Sequence, residues 1–370
     1  MQIICDKQVL IEYINIVSKA VSPRTTLPIL ECVLLLADEN GFRMLGNDLE
    51  LGIESRAIEA TVIEEGSVAL DARMLNEIVR RLPGTTATIQ TDDKFVTTIK
   101  SGKSEFKIAG QSGSEFPFLP SVEQTEPYVI AAVELKNMIR QTIFSVSTDD
   151  TKPALTGELL EIKNNVVKLV SVDGFRISLR LLQPEVECSD LRAIIPAKTL
   201  NELSKILPGD SDALVSVYHS DRHILFALDQ FILVSRVIDG DFISYENVFT
   251  DDYTTMISVE REVFVDALER ASLIISKVAR RDSVRIKVTD GQAEITSKTD
   301  IGSSHDEIPV TQDGIDLEIA FNPRYLIDAL KALETDVVEM QFTTPLSPCI
   351  IKGESYDLQK YLILPVRAFS

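Results

Sequence analysis

Apolar residues recur at helical spacing in six places along the chain. Residues 7–20 carry Val9, Leu10, Tyr13, Ile14 and Val17. Residues 134–147 carry Leu135, Met138, Ile139, Thr142 and Ile143. Residues 260–277 carry Val263, Phe264, Ala267, Leu268, Ala271 and Ile275. Each set places one apolar stripe on a helix. Three further helices are expected within 71–82, 196–207 and 322–333, each preceded by a short apolar strand. Most of the remainder alternates with period two, as in residues 87–91 and 284–288, which predicts strands with one buried face. Turn signals at 39–41, 92–94, 163–165 and 290–291 separate these runs.

The second set of helices exposes an internal repeat. The stretch from Val68 through Leu75 to Gly84 matches the one from Ala193 through Leu200 to Gly209. Both match the one from Ile319 through Leu326 to Glu334. The equivalent leucines are 125 and 126 residues apart. That period is far above the ~20–50 residues of a solenoid unit, so it marks tandem copies of a whole domain. Expected boundaries give residues 1–124, 125–248 and 249–370, the joints falling in polar stretches near 124–127 and 247–253. The six helix centres lie near 12, 77, 140, 202, 268 and 328. Each copy is therefore expected to hold two half-units of one helix plus about four strands. The hairpin connections are too short for parallel crossovers, so the expected class is α+β with mostly antiparallel sheets.

Composition adds constraints. The 370 residues are 45% hydrophobic, enough for several cores, with a formal charge of −20. Such a charge describes a self-repelling body and, taken alone, argues against nucleic acid. Tryptophan is absent and aromatics make up 6%, which disfavours a stacking platform for single strands. Cys5, Cys32, Cys188 and Cys349 are scattered, so reduced buried thiols in a cytosolic protein are expected. Asp6 and Lys7 interrupt the place where a signal peptide needs its apolar run, and no stretch reaches membrane-span length. The expected location is the cytoplasm, with no membrane partner.

The charge is unevenly distributed. The helical segments 6–24, 71–82, 134–147, 196–207, 260–282 and 322–333 hold 17 Lys and Arg against 12 Asp and Glu. The rest of the chain carries a balance of −25. Arg73, Arg80, Lys198 and Lys205 lie on polar helix faces, and Arg24, Lys152 and Lys277 lie just outside them. One reading is ordinary solvated helix faces. The other is a mildly basic surface on an acidic body, holding phosphates weakly and without base readout.

No chemistry for catalysis emerges. His219 and His223 sit in a stretch that reads as strand, so a metal pair there is disfavoured. Gly110-Gln111-Ser112-Gly113 lacks the spacing of a nucleophile elbow and is expected to be a turn. No phosphate-binding glycine motif occurs. No catalytic residue, metal or cofactor is therefore expected.

Four segments in register with the repeat resemble the bacterial sliding clamps, the beta subunits of DNA polymerase III. They are Arg24-Thr25-Thr26-Leu27-Pro28-Ile29-Leu30, Gly46-Asn47-Asp48-Leu49-Glu50, residues 171–177, and Leu364-Pro365-Val366-Arg367. The resemblance implies a head-to-tail homodimer that closes as a ring around duplex DNA, twelve helices lining the hole. Helices ~9 Å apart give a circumference of about 110 Å and a diameter of roughly 35 Å, wide enough for a duplex. It implies Arg24, Arg73, Arg80, Lys152, Lys198, Lys205 and Lys277 as DNA-facing cations. It implies contacts between copies through Phe106 and Ile108 on one side and Leu273 and Ile274 on the other. It also implies a cleft for short peptides of polymerases and the clamp loader. That cleft maps to Leu155, Val172, Gly174, Phe175, Arg176, Ile177, Ile243, Val248, Leu362, Leu364, Pro365, Val366 and Arg367. Val172, Phe175 and Ile243 stand where Thr, His and Pro are common in the family, and Glu246-Asn247 replaces a basic pair. The cleft should thus be more apolar and less cationic. Phe369, beyond the last motif, is expected to reach the cleft and compete with partner peptides. The implied function is processivity without catalysis; a hydrolase or transferase and an acidic protein-binding scaffold are the alternatives.

Overall fold

The computed structural model describes residues 1–370 except 23–24, 125, 185–188, 210–211, 276–282, 355 and 367–370, and the side chain of Tyr356. Arg24, Lys277, Arg367, Cys188 and Phe369 therefore lie outside the described residues. Six α-helices form where the stripes predict them: α1 Lys7–Val17, α2 Ala72–Arg81, α3 Ala132–Thr142, α4 Ala197–Ile206, α5 Arg261–Ser272 and α6 Pro323–Ala332. Three start on side-chain caps. The Asp6 carboxylate accepts from the amides of Gln8 and Val9, that of Asp71 from Met74, and the Asn322 side chain from Arg324.

Two helices end earlier than their apolar stripes. The one expected over 134–147 closes its α-turns at Thr142 and tightens to a 3-10 turn, Ile143–Ser145. There the Ser145 and Ser178 hydroxyls bond at 2.6 Å, drawing the chain onto the sheet. The one expected over 260–277 stops at Ser272, whose hydroxyl donates back to the Leu268 carbonyl at 2.7 Å. Such back-bonding competes with helix continuation.

The strands pair antiparallel throughout the described residues. The chain divides into two compact units, Met1–Glu134 with Glu202–Val237, and Leu135–Asn201 with Ile238–Ser370. These units cut through the second sequence copy, and the sheets explain why. The first unit holds a five-stranded sheet and a nine-stranded one. In the larger, Leu51–Ser55 of the first copy pairs with Phe231–Arg236 of the second, Leu51 opposite Ser235. The second unit holds a nine-stranded and a four-stranded sheet. There Arg176–Leu182 pairs with Tyr356–Ile363 of the third copy, Arg176 opposite Ile363. Each nine-stranded sheet is thus a half of one copy joined to a half of the next.

One smaller expectation changes and another holds. Gln111–Ser112 is no turn but a short edge strand, paired with Val68 and Ala69. His219 ends one strand and His223 begins the next, as their β-like surroundings predicted. Cys5, Cys32 and Cys349 are free and buried. Burial pushes the Cys5 and Cys32 thiols up to about 11, and the Cys349 thiol well above its ordinary value. Among the described residues, no helix is long and apolar enough to cross a membrane.

A buried polar network lies under α3 in the second unit. Tyr361 donates its hydroxyl to the Gln141 carbonyl at 2.9 Å and accepts from Gln359. Arg180 donates to the Gln141 side chain at 2.9 Å. Beside it Glu158 is fully buried, with one carboxyl oxygen accepting from Thr142 at 3.1 Å and the other unpartnered. Burial raises its carboxyl well above the usual range. The folded state then holds a proton that the unfolded chain releases near its ordinary pKa. Stability is fully present below that value and falls as pH rises toward the folded pKa. Glu158→Gln should therefore raise the melting temperature at pH 8, with the gain shrinking toward pH 5. Parallel denaturation curves of the two proteins at both pH values would contradict this.

Candidate functional site

The expected cleft residues lie within the second unit, and most converge. Leu155, Val172, Ile177 and Leu362 are buried in one cluster with Phe242 and Tyr245. Above this floor, Phe175 is 56% exposed, with Leu364, Ile243 and Val248 at 38–41%. Pro365 and Val366 are half-buried. Large apolar side chains standing in water beside an apolar floor are what an anchor residue of a docked chain can cover.

The turn that presents Phe175 is locally determined. The Asp173 carboxylate accepts from the amides of Phe175 at 2.9 Å and Arg176 at 3.1 Å. Gly174 takes φ +88°, a conformation that L side chains rarely adopt. The Phe175 carbonyl then accepts from the amide of Leu364 at 2.8 Å, and the amide of Val366 donates to the Ala320 carbonyl at 2.8 Å. The last described residues, 364–366, are thereby held along the site by backbone bonds.

Arg176 is structural in its geometry. It is 8% exposed, and its guanidinium lies 4.4 Å from the Tyr325 ring centre and 5.4 Å from that of Phe144. It bonds Asp173 at 2.9 Å and Asp328 at 2.7 Å, and also donates to the Phe144 carbonyl. Charge, ring faces and carbonyl together satisfy the buried cation. Phe175 stacks on the same Tyr325, ring centres 6.2 Å apart at 24°. Tyr325, Phe144, Asp328, Phe242 and Tyr245 were not among the residues expected from sequence. Tyr325 and Asp328 belong to α6, and the helical stripe alone does not tell which neighbour its half-exposed side meets. Phe242 and Tyr245 sit in a stretch without periodicity.

The expected cations behave differently. Arg73 is exposed and pairs with Glu77 at 3.2 Å, one turn along α2. Arg80 bonds Asn76 at 2.7 Å and Asn15 at 2.8 Å. Glu202 takes both Lys205 at 2.7 Å and Lys19 at 3.6 Å. Lys152 and Lys198 are exposed. On α3 and α6, Arg140 pairs with Glu334 and Lys331 with Glu269. Most helical cations thus have a carboxylate at hand.

Of the residues expected at the contact between copies, two lie on an edge strand and two in a turn. Phe106 and Ile108 belong to Ser104–Ala109, the edge strand of the five-stranded sheet. Phe106 is exposed, whereas Ile108 is already buried within its own unit. Leu273 and Ile274 form the turn after α5, Leu273 being 82% exposed. The Ile274 carbonyl accepts from Thr299, beside the edge strand Gly302–Pro309 of the four-stranded sheet.

Comparison with known proteins identifies the family. Family profiles for the N-terminal, central and C-terminal domains of the DNA polymerase III beta subunit match residues 1–120, 129–243 and 246–367. The beta sliding clamp of Halalkalibacterium halodurans is 34% identical over 383 residues, covering all of both chains. The DNA polymerase sliding clamp of Bacillus subtilis, 34% identical, superposes over all of both chains with a TM-score of 0.95. The beta subunit of Thermotoga maritima does so at 27% identity and a TM-score of 0.91. Three domain profiles in sequence, full-length identity and a shared fold identify the chain as a member of the DNA polymerase III beta subunit family, the beta sliding clamps.

Proposed function

We propose that two copies of this sliding clamp close head to tail around duplex DNA, each chain acting as three domains, residues 1–124, 125–248 and 249–370. A sliding clamp confers processivity on the replicative polymerase and has no catalysis of its own.

One observation carries the head-to-tail reading. The repeat specifies three equivalent seams, and the chain closes only two. At the first, Arg236 donates its amide to the Glu50 carbonyl at 2.9 Å; at the second, Leu364 donates to Phe175 at 2.8 Å. Two residues further on, the amides of Ile238 and Val366 bond the carbonyls of Ile194 and Ala320. In the first copy Gln111 pairs with Ala69, which places Ala109 equivalent to Arg236 and Leu364. In the third copy the hairpin pair Ser297 and Ser304 repeats Ser171 and Ser178, which places Ile301 equivalent to Phe175. Of the open sheet edges, Ser104–Ala109 and Gly302–Pro309 are the two that hold these repeat-equivalent positions. Joining them in the same register puts Ile108 opposite Gly302 of the partner subunit and Phe106 opposite Ser304 of the partner subunit. An interface that joins two different patches makes a ring where the rotation closes and a filament where it does not, and the proposal is a ring of two copies.

The clamp loader and polymerases are proposed to dock extended peptides in the cleft around Phe175 and Leu364, floored by Leu155, Val172, Ile177 and Leu362. Ile243, Val248, Pro365 and Val366 complete its walls, and Gly174 and Arg176 hold its shape. Arg73, Arg80, Lys152, Lys198 and Lys205 are proposed to face the duplex, holding phosphates weakly. The cytoplasm, where chromosomal DNA lies in bacteria, is the proposed location.

The seam has a specific test. The Gly110 amide points back to Phe95 at 2.9 Å, so the Ala109 amide points outward along the open edge. Ala109→Pro removes only that outward donor, which an edge strand tolerates. Sedimentation should show a species of about 82 kDa, twice the 41.1 kDa chain. The proline variant should weaken dimerisation at least tenfold with its circular dichroism unchanged. A variant as dimeric as the parent contradicts the register.

Encirclement is tested with a competent loader and plasmid at moderate salt. Retention on the circle and loss after linearisation is the expected result; equal retention on both would mean ordinary surface binding. Reversing Arg73, Lys198 and Lys205 to Glu should reduce retention on the circle without unfolding the protein. Undiminished processivity in that triple variant would make the cations incidental.

A further inference from the structure

We propose that the groove at the first seam is a peptide groove closed by charge, and that Glu50 and Arg236 decide that the chain presents one peptide cleft rather than two. The inference rests on the reading of the second-seam groove as the peptide cleft.

The two grooves share one backbone. Asp48 repeats Asp173, its carboxylate accepting from the amides of Glu50 at 3.0 Å and Leu51 at 2.8 Å. Leu49 repeats Gly174 with φ +75°, a strained value for leucine that the turn nevertheless imposes. The register repeats as well, with Gly52 opposite Val234 where Ile177 is opposite Leu362. A pocket lies at this first seam, lined by Asn47, Glu50, Gly52, His223, Val234 and Arg236 among others. The seam register places these at the positions of Val172, Phe175, Ile177, Pro348, Leu362 and Leu364.

The side chains are what differ. Phe175 becomes Glu50 and Leu364 becomes Arg236, and the two charges face each other at 3.7 Å, both more than half exposed. In water such a pair costs nothing and contributes little. Beneath an apolar anchor both charges would lose water without new partners, which is expensive. His223 adds a third polar group, its imidazole pKa lowered by burial and by the nearby charges of Arg236 and Arg222. The floor is filled from within the chain. A Cβ on Gly52 would lie 1.9 Å from Leu119 Cδ2, so Leu119 occupies the place that the Ile177 side chain takes at the second seam. Asn47 holds that segment by donating to the Pro117 carbonyl at 2.9 Å. The first groove therefore keeps the geometry of a peptide site but rejects apolar anchors through charge, a specificity built from repulsion of the wrong occupant.

The test uses the full-length dimer and a fluorescein-labelled Ser-Leu-Ser-Leu-Phe peptide, whose alternate apolar residues can reach one face as an extended strand. Calorimetry reads peptides bound per chain. The parent should bind one and Glu50→Phe with Arg236→Leu should bind two; a stoichiometry still at one overturns the proposal. The reciprocal change guards against misfolding of that variant. Phe175→Glu with Leu364→Arg should lose at least tenfold more affinity than Phe175→Ala with Leu364→Ala, and equal losses overturn the proposal. A parent that binds no peptide would instead remove the cleft reading itself, and this inference with it.

Discussion

Backbone hydrogen bonding between strands of different copies is the constraint on which this molecule depends. A half-copy of helix and four strands leaves an edge strand with unpaired amides and carbonyls, which water or another strand must satisfy. Here the next copy supplies that strand, and nine-stranded sheets result. Joining in this way fixes the register of neighbouring copies through several parallel contacts rather than one flexible linker. The compact units consequently do not follow the sequence repeat, because the second copy gives one half to each of them.

Much of the fold was legible in the chain because its signals are local. Helix stripes, the Asp6 and Asp71 caps and the turn residues act within a few positions, and the structure follows them. The helix ends were less legible. Thr142 and Ser272 are acceptable helix residues by propensity; Thr142 bonds Glu158 across the unit, a meeting no local pattern encodes, and Ser272 bonds back to Leu268 where the stripe alone predicts continuation. Gln111–Ser112 read as a turn because two residues carry no periodicity; pairing with Val68 and Ala69 makes them a strand. At the proposed cleft, the apolar members were expected through resemblance, whereas the cage of Tyr325, Phe144 and Asp328 around Arg176 joins residues up to 184 apart in sequence. No local pattern encodes such a meeting.

The repeat also separates what backbone and side chain each determine. Asp48 and Asp173 fold the same turn, and the strands after them pair in the same register, although one turn presents a carboxylate and the other a phenyl ring. Backbone geometry is shared by the two seams, while one or two exposed residues set what each presents to solvent. Glu158 shows the same separation in the interior. Its strand position is ordinary, but the side chain buries an acid that only a proton makes tolerable.

If the helical cations face the duplex, as proposed, their pairing has a consequence for motion. Arg73 has Glu77 within reach, Lys205 and Lys19 share Glu202, Arg140 has Glu334 and Lys331 has Glu269. A phosphate that approaches such a cation gains only the difference between two similar carboxylate-like partners. When the phosphate moves on, the cation returns to its own partner instead of facing water alone. On that proposal the energy profile along a duplex would be nearly level, with low barriers between successive positions and little friction.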